Sequence, residues 1–187
     1  MPNNSKLPIF VIFTTVVLDS MGIGIIIPVM PALFAEVTGS EKISDIAIWG
    51  GLLASTFALM QFIFGPILGA LSDRYGRKPI LLLALFVMAA YYLLMGFAQT
   101  LWLLFLGRLI GGITAATHAT ANAYMADISS PEEKAARFGM LGAGFGLGFV
   151  LGPLIGGLLG EWGRRAPFFA AAMLAAANCV LCYFVLL

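Results

Sequence analysis

Six stretches of this chain are each apolar for about 20 residues, the length a helix needs at 1.5 Å per residue to cross a hydrocarbon core roughly 30 Å thick. They run at about 8–30, 47–71, 79–98, 101–124, 138–159 and 167–187, separated by short turns that hold most of the charge. A segment surrounded by lipid must satisfy its backbone hydrogen bonds internally, so each stretch reads as a helix. The fold class that follows is all-α, a six-helix membrane bundle with no soluble domain between its spans. Composition agrees: 61% of the 187 residues are hydrophobic and 10% are charged, against roughly 45–50% apolar in a soluble domain. Such a chain has too much apolar surface for a disordered or water-soluble protein. The net charge of +1 gives no reason to expect a nucleic-acid partner. The first apolar run follows only Lys6 and lacks a small-residue cleavage site, so it reads as a retained span.

Lys and Arg in the turns set the expected orientation. With the N-terminus inside, Lys6, Arg74, Arg77, Lys78, Lys134 and Arg137 lie on the cytoplasmic side, against Lys42, Arg164 and Arg165 on the other. Trp49, Trp102 and Trp162 fall at span ends on the outer side, as an interfacial belt would place them. In the turn after the fourth span, Ser130, Pro131 and Glu133 have the spacing of a helix capping box.

The polar turn between spans two and three lies in GALSDRYGRKPIL, Gly69 to Leu81, where Asp73, Arg74, Arg77 and Lys78 crowd around Gly76. A shift of 87 residues lays GPILGALSDRYGRK (Gly65–Lys78) on GPLIGGLLGEWGRR (Gly152–Arg165), with six of fourteen positions identical. The two copies end spans two and five, which leave the membrane on opposite sides. That is the mark of a three-plus-three inverted repeat, common among transporters. Gly160 stands in the second copy where Asp73 stands in the first.

Asp19 is the costliest residue to place, about eleven residues into the first span. A carboxylate at that depth costs at least ~2.5 kcal/mol and should face water or a partner. Arg108, seven residues into the oppositely directed fourth span, is expected at similar depth, and an Asp19–Arg108 pair follows. Two readings of it stay open: a fixed ion pair that orients helices, or a protonatable acid gated by its partner. Thr114, His118 and Asn122 recur every four residues and would share a face of span four, lining a cavity with Gln61 from span two. Gly144, Gly148, Gly152, Gly156 and Gly160 also recur every four residues, with Pro153 among them. Such a stripe lets helix backbones approach closely, either as static packing or as a surface for sliding. Cys179 and Cys182 lie in apolar sequence and read as packing residues. No nucleophile–base triad, phosphate-binding glycine loop or set of metal ligands is evident, so no enzyme activity, cofactor or metal is expected.

These motifs in order resemble the N-terminal half of a major facilitator superfamily transporter, and within it the proton-coupled drug exporters. GALSDRYGRKPIL resembles the family's turn between helices two and three, matched at Gly69, Leu71, Asp73, Arg74, Gly76, Arg77, Lys78 and Leu81. LDSMGIGIIIPVMP is similar to the exporters' helix-one motif, LGRLIGGITAAT to that of helix four, and GFGLGFVLGPLIGG to the antiporter motif of helix five. MGIGIIIPVMP, YMADI and RRAPFFAAA resemble the tetracycline-efflux branch, although Tyr91 stands where that branch carries a helix-three aspartate. The resemblance implies half of a twelve-helix fold in a bacterial inner membrane, exporting a small amphipathic molecule against protons. Asp19 and Arg108 would couple protons. Gly69, Asp73, Arg74, Gly76, Arg77 and Lys78 would form a cytoplasmic gate, with Asp73 capping a helix of the missing C-terminal half and Arg77 paired to Asp127. The expected partners are lipid, substrate, protons and that second half. A passive facilitator and a non-transporting membrane interaction protein are the alternatives.

Overall fold

A computed structural model describes residues 6–39, 42–115 and 117–185. The side chain of Lys6, counted above for orientation, and residues 186–187 at the end of the sixth span lie outside the described residues. Helices α1 (Lys6–Ile26) and α2 (Met30–Thr38), joined by a 3₁₀ turn at Ile27–Val29, make span one, and α3 (Ile43–Tyr75) makes span two. Span three is α4 (Arg77–Phe97) and span four is α5 (Leu101–Thr114) followed by α6 (Thr117–Asp127). Spans five and six are α7 (Lys134–Trp162) and α8 (Ala166–Val185). All six spans are long and apolar enough to cross a membrane.

Several helices overrun the apolar segments that announced them. Span two is helical for 33 residues because the chain stays in register through Ile43–Ile46 and through the charged end at Asp73–Tyr75. It stops at Gly76, whose φ of +96° is a backbone conformation glycine adopts at little cost. Pro28 removes one helical N–H and its ring crowds the carbonyl of residue 24, which accounts for the tightened turn in span one. In span four the hydroxyl of Thr114 donates to the carbonyls of Ile110 and Gly111, and that of Thr117 donates to Thr114. Back-bonding of this kind bends helices, and the α5–α6 break falls between these two threonines.

Packing follows the inverted repeat. α1 lies mainly on α7, α3 mainly on α5, and α4 on α8. If span one corresponds to four, two to five and three to six, the first two pairs are equivalent and the third maps onto itself. The α1–α7 seam is built on the glycine stripe: Gly144, Gly148, Gly152 and Gly156 are all buried. A methyl group at Gly148 would run into the Val17 carbonyl, and one at Gly156 into the Ile25 carbonyl. A Cβ at Gly24 of α1 would stand 2.8 Å from Pro153 Cδ, so both proline-bent regions meet in this seam. Gly112 is similarly pressed against the Phe57 carbonyl across the α3–α5 seam. Association here rests on close backbone approach, since lipid removes the hydrophobic drive between helices.

The turn before α7 departs from the sequence reading. Glu133 occupies the N-cap position and no side chain caps the helix. The Ser130 carbonyl instead accepts from the Glu133 and Lys134 amides, closing a helical turn ahead of α7. The engaged acid is Glu132, held below the usual carboxylate range by its own backbone amide and by the Ser130 hydroxyl.

Candidate functional site

A cavity of about 340 Å³ opens among spans one to five. α1 contributes Asp19, α3 Phe57 and Gln61, α4 Tyr91 and Tyr92, α5 Arg108, α6 His118 and α7 Phe145. Its character is mostly apolar and aromatic with a few convergent polar groups, the usual make-up of a small-molecule site. Asp19 is only 4% exposed. Its Oδ2 lies 3.3 Å from His118 Nε2, while Oδ1 has no hydrogen-bond partner. His118 Nε2 also lacks an aligned hydrogen bond, so the two groups meet at ion-pair distance without fixing one another.

The expected Asp19–Arg108 pair is not formed. Arg108 directs its guanidinium over the Phe57 ring, 5.7 Å from the centroid, and its Nε is buried without a partner. The reason is depth. Counted along the observed helices from the end that carries Arg77, Asp19 lies ~20 Å in, His118 ~14 Å and Arg108 ~28 Å. Counting Asp19 from one end of its span and Arg108 from the other hides this offset, because the two spans differ in length. Both still line the same cavity.

Of the four expected cavity residues, Gln61 and His118 line the cavity. Thr114 does not: it is 6% exposed with its hydroxyl turned back on its own helix. The cavity is instead lined from span four by Arg108, Gly111, Ala115 and His118, a helical face to one side of Thr114. Asn122 lines a separate groove of about 540 Å³ toward the Arg77 end, shared with His118, Phe138 and Phe145. Sequence reasoning missed the aromatic lining. Tyr91 rests against Gly111, where an added Cβ would stand 3.0 Å from its ring, and its ring is tilted 39° against that of Tyr92 with centroids 4.6 Å apart. The adjacent tyrosines, unusual in mid-span, were the available signal.

At one end of the bundle Arg77 gathers three partners. Its Nε donates to Asp127 Oδ2 at 2.9 Å, and Nη1 donates to Ser72 Oγ at 2.7 Å and also meets Asp73. Ser72 in turn donates to the Gly69 carbonyl. Arg74 lies over the ring of Tyr75, and Lys78 is half-buried beside Arg77 in the first turn of α4. A Cβ at Gly69 would meet no atom within 4 Å, so that face of α3 is open.

The opposite end repeats the arrangement with different residues. Arg165 Nη2 donates to Glu36 at 2.9 Å, and its Nη1 donates to the carbonyls of Ala98 at 2.7 Å and Gly96 at 3.0 Å. Arg77 thus ties the turn after span two to the end of span four, and Arg165 ties the turn after span five to the ends of spans one and three. The 87-residue shift lays Arg77 on Arg164, whose Nη1 also reaches Glu36 at 3.5 Å, so Glu36 serves this end as Asp127 serves the other. Among the described residues no group of three or more His, Cys, Asp or Glu is placed to hold a metal.

Comparison with known proteins agrees with this architecture. The Major Facilitator Superfamily model matches residues 12–187. The class C tetracycline resistance protein of Escherichia coli is 46% identical over 97% of this chain and 44% of its own length. Multidrug resistance protein 2 of Bacillus subtilis is 32% identical over 98% of the chain and 45% of its own length. The crystal structure of the human organic anion transporter MFSD10 (TETRAN) superposes with a TM-score of 0.86 at 27% identity, covering all of this chain and 48% of that one. The chain therefore spans a little under half the length of the relatives it matches. A family match across nearly every residue, six spans and an inverted-repeat packing pattern lead to one assignment: this chain belongs to the Major Facilitator Superfamily, in the six-helix architecture of its N-terminal half.

Proposed function

We propose that this chain forms the N-terminal half of a secondary transporter that exports a small amphipathic, drug-like molecule in exchange for protons. The observation that carries the reading is Asp19: a carboxyl 4% exposed, on the wall of an aromatic cavity, with one oxygen unpartnered. A group so placed is expensive to keep charged within a bilayer, and protonation relieves the expense. The adjacent tyrosines, Phe57 and Phe145 suit a flat apolar substrate, while Gln61 and Arg108 supply polar contacts. Tetracycline-like molecules fit that description, and the tetracycline resistance relatives support it. Substrate would sit between this half and a C-terminal six-helix half, with the two rocking about it.

Asp19 and Arg108 act in this reading as separate coupling groups in one cavity. The turn from Gly69 to Lys78, tied to Asp127 through Arg77, forms the cytoplasmic gate, with Asp73 and the open face at Gly69 available to the second half. The seam at Gly144, Gly148, Gly152, Pro153 and Gly156 holds spans one and five together as one rigid unit. The membrane is a bacterial inner membrane, and the excess of Lys and Arg at the Arg77 end supports a cytoplasmic N-terminus.

The test is Asp19→Asn in the transport-competent protein that carries this chain, assayed in inverted vesicles. Substrate-driven proton flux should fall at least tenfold with the protein still folded. Undiminished flux would show that Asp19 does not couple protons and would leave the passive facilitator as the better reading.

A further inference from the structure

His118 lines two hollows at once. On one side it faces Asp19 in the central cavity, and on the other it borders the groove that runs past Asn122 and Phe138 toward the Arg77 end. Phe145 is the other residue common to both, and its ring meets the imidazole edge-on with centroids 5.3 Å apart. The wall between cavity and groove is therefore one apolar ring and one titratable ring. No other titratable side chain borders the groove among the described residues. Around the cavity, α1 presents Asp19, α4 presents Tyr91 and Tyr92, and α5 presents Arg108, while α3 and α7 present none. Of these, only His118 is within ion-pair distance of Asp19.

We propose that His118 is the proton relay between Asp19 and the cytoplasmic groove, a positioning and transfer role distinct from contact with substrate. The inference rests on the proton-coupled reading above. In the transfer the Asp19 Oδ2–H bond breaks and the proton bonds to His118 Nε2, leaving a carboxylate and an imidazolium. The imidazolium then gives the proton on its other nitrogen to water in the groove, and a rotation of the ring about χ2 restores an unprotonated nitrogen toward Asp19. One proton crosses the wall and no other species is consumed. Arg108, ~15 Å further along span four by helical rise, is left to meet substrate or to stabilise the carboxylate at longer range. The absence of an aligned hydrogen bond between Asp19 and His118 suits a relay, since a locked pair would hold the proton in place.

Two arms test this in the transport-competent protein, with His118→Gln as the variant and His118→Asn as its substitute should H118Q not accumulate in the membrane. The first compares pH-gradient-driven accumulation of radiolabelled tetracycline with tetracycline counterflow, which needs no net proton movement. Accumulation should fall at least tenfold, and its loss should exceed the loss of counterflow at least fivefold. Equal losses would make His118 a substrate contact and overturn the relay. The second arm needs no substrate: dicyclohexylcarbodiimide modifies protonated carboxyls, and Asp19→Asn supplies the blank. In H118Q the reaction at Asp19 should extend to higher pH by one unit or more, because the ring that takes up its proton is gone. An unchanged pH profile overturns the relay. Should the unsubstituted protein move no tetracycline, that failure belongs to the transport reading, and the carbodiimide profile decides between a coupled and an uncoupled Asp19–His118 pair.

Discussion

Among the described residues Asp73 meets one charged partner, Arg77 one helical turn on, and keeps 63% of its side chain exposed. An exposed pair of this kind contributes at most ~1 kcal/mol to the bundle. Asp73→Asn should therefore leave the thermal midpoint of the protein within a degree or two, while transport weakens and substrate binding is largely spared. Normal transport by that variant would remove the gate from the account. The same residue-scale view explains what sequence could and could not deliver at the site. Asp19 and Arg108 stood out because charge within a span is costly wherever it faces. Their separation did not, because each depth was legible only from the nearer end of its own span, and spans of unequal length do not share a midpoint. Arg77 and Asp127 pair as the family resemblance implied. Thr114 was misplaced because a threonine within a span can satisfy its hydroxyl on its own helix, here on the Ile110 and Gly111 carbonyls, without facing a cavity.

At the scale of helices, the glycine stripe makes adjacent residues respond oppositely. A Cβ at Gly156 would strike the Ile25 carbonyl, whereas one at Gly157 would meet nothing within 4 Å. Gly156→Ala should destabilise by roughly 1–3 kcal/mol through overpacking a backbone contact that cannot yield. Gly157→Ala should be neutral or stabilising by up to ~1 kcal/mol, since alanine holds a helix better than glycine. Thermal midpoints of the two variants in detergent would separate them; similar losses for both would mean that α1 and α7 do not pack on this face. The stripe was legible in sequence because its period matches the helix. Which helix it met was not: Gly144–Gly156 would suit any partner with a smooth face, and α1 offers one through Gly24 and the backbone of Val17–Ile25.

For the molecule as a whole, the two arginine ties stand at opposite ends of the bundle and divide it into a cytoplasmic and an outer side on the proposed orientation. Single cysteines at Tyr75 and Trp162, both well exposed, would report on this in a background lacking Cys179 and Cys182. A membrane-impermeant maleimide added to intact cells should label the cysteine at 162 and spare that at 75; the reverse pattern would invert the topology. The inverted repeat also sets an order of events during synthesis. Span one finds its main support in span five, so Val17 leaves the ribosome some 131 residues before Gly148 arrives to meet its carbonyl. At bacterial-like elongation rates of about 5–20 residues per second that interval is on the order of ten seconds. Throughout it, a helix bearing Asp19 must wait beside the translocation machinery with its glycine-facing side unfilled. The seam that makes the finished bundle tight thus makes the nascent one dependent on shelter, and slowed translation between spans two and five is where assembly of this protein is most exposed to failure.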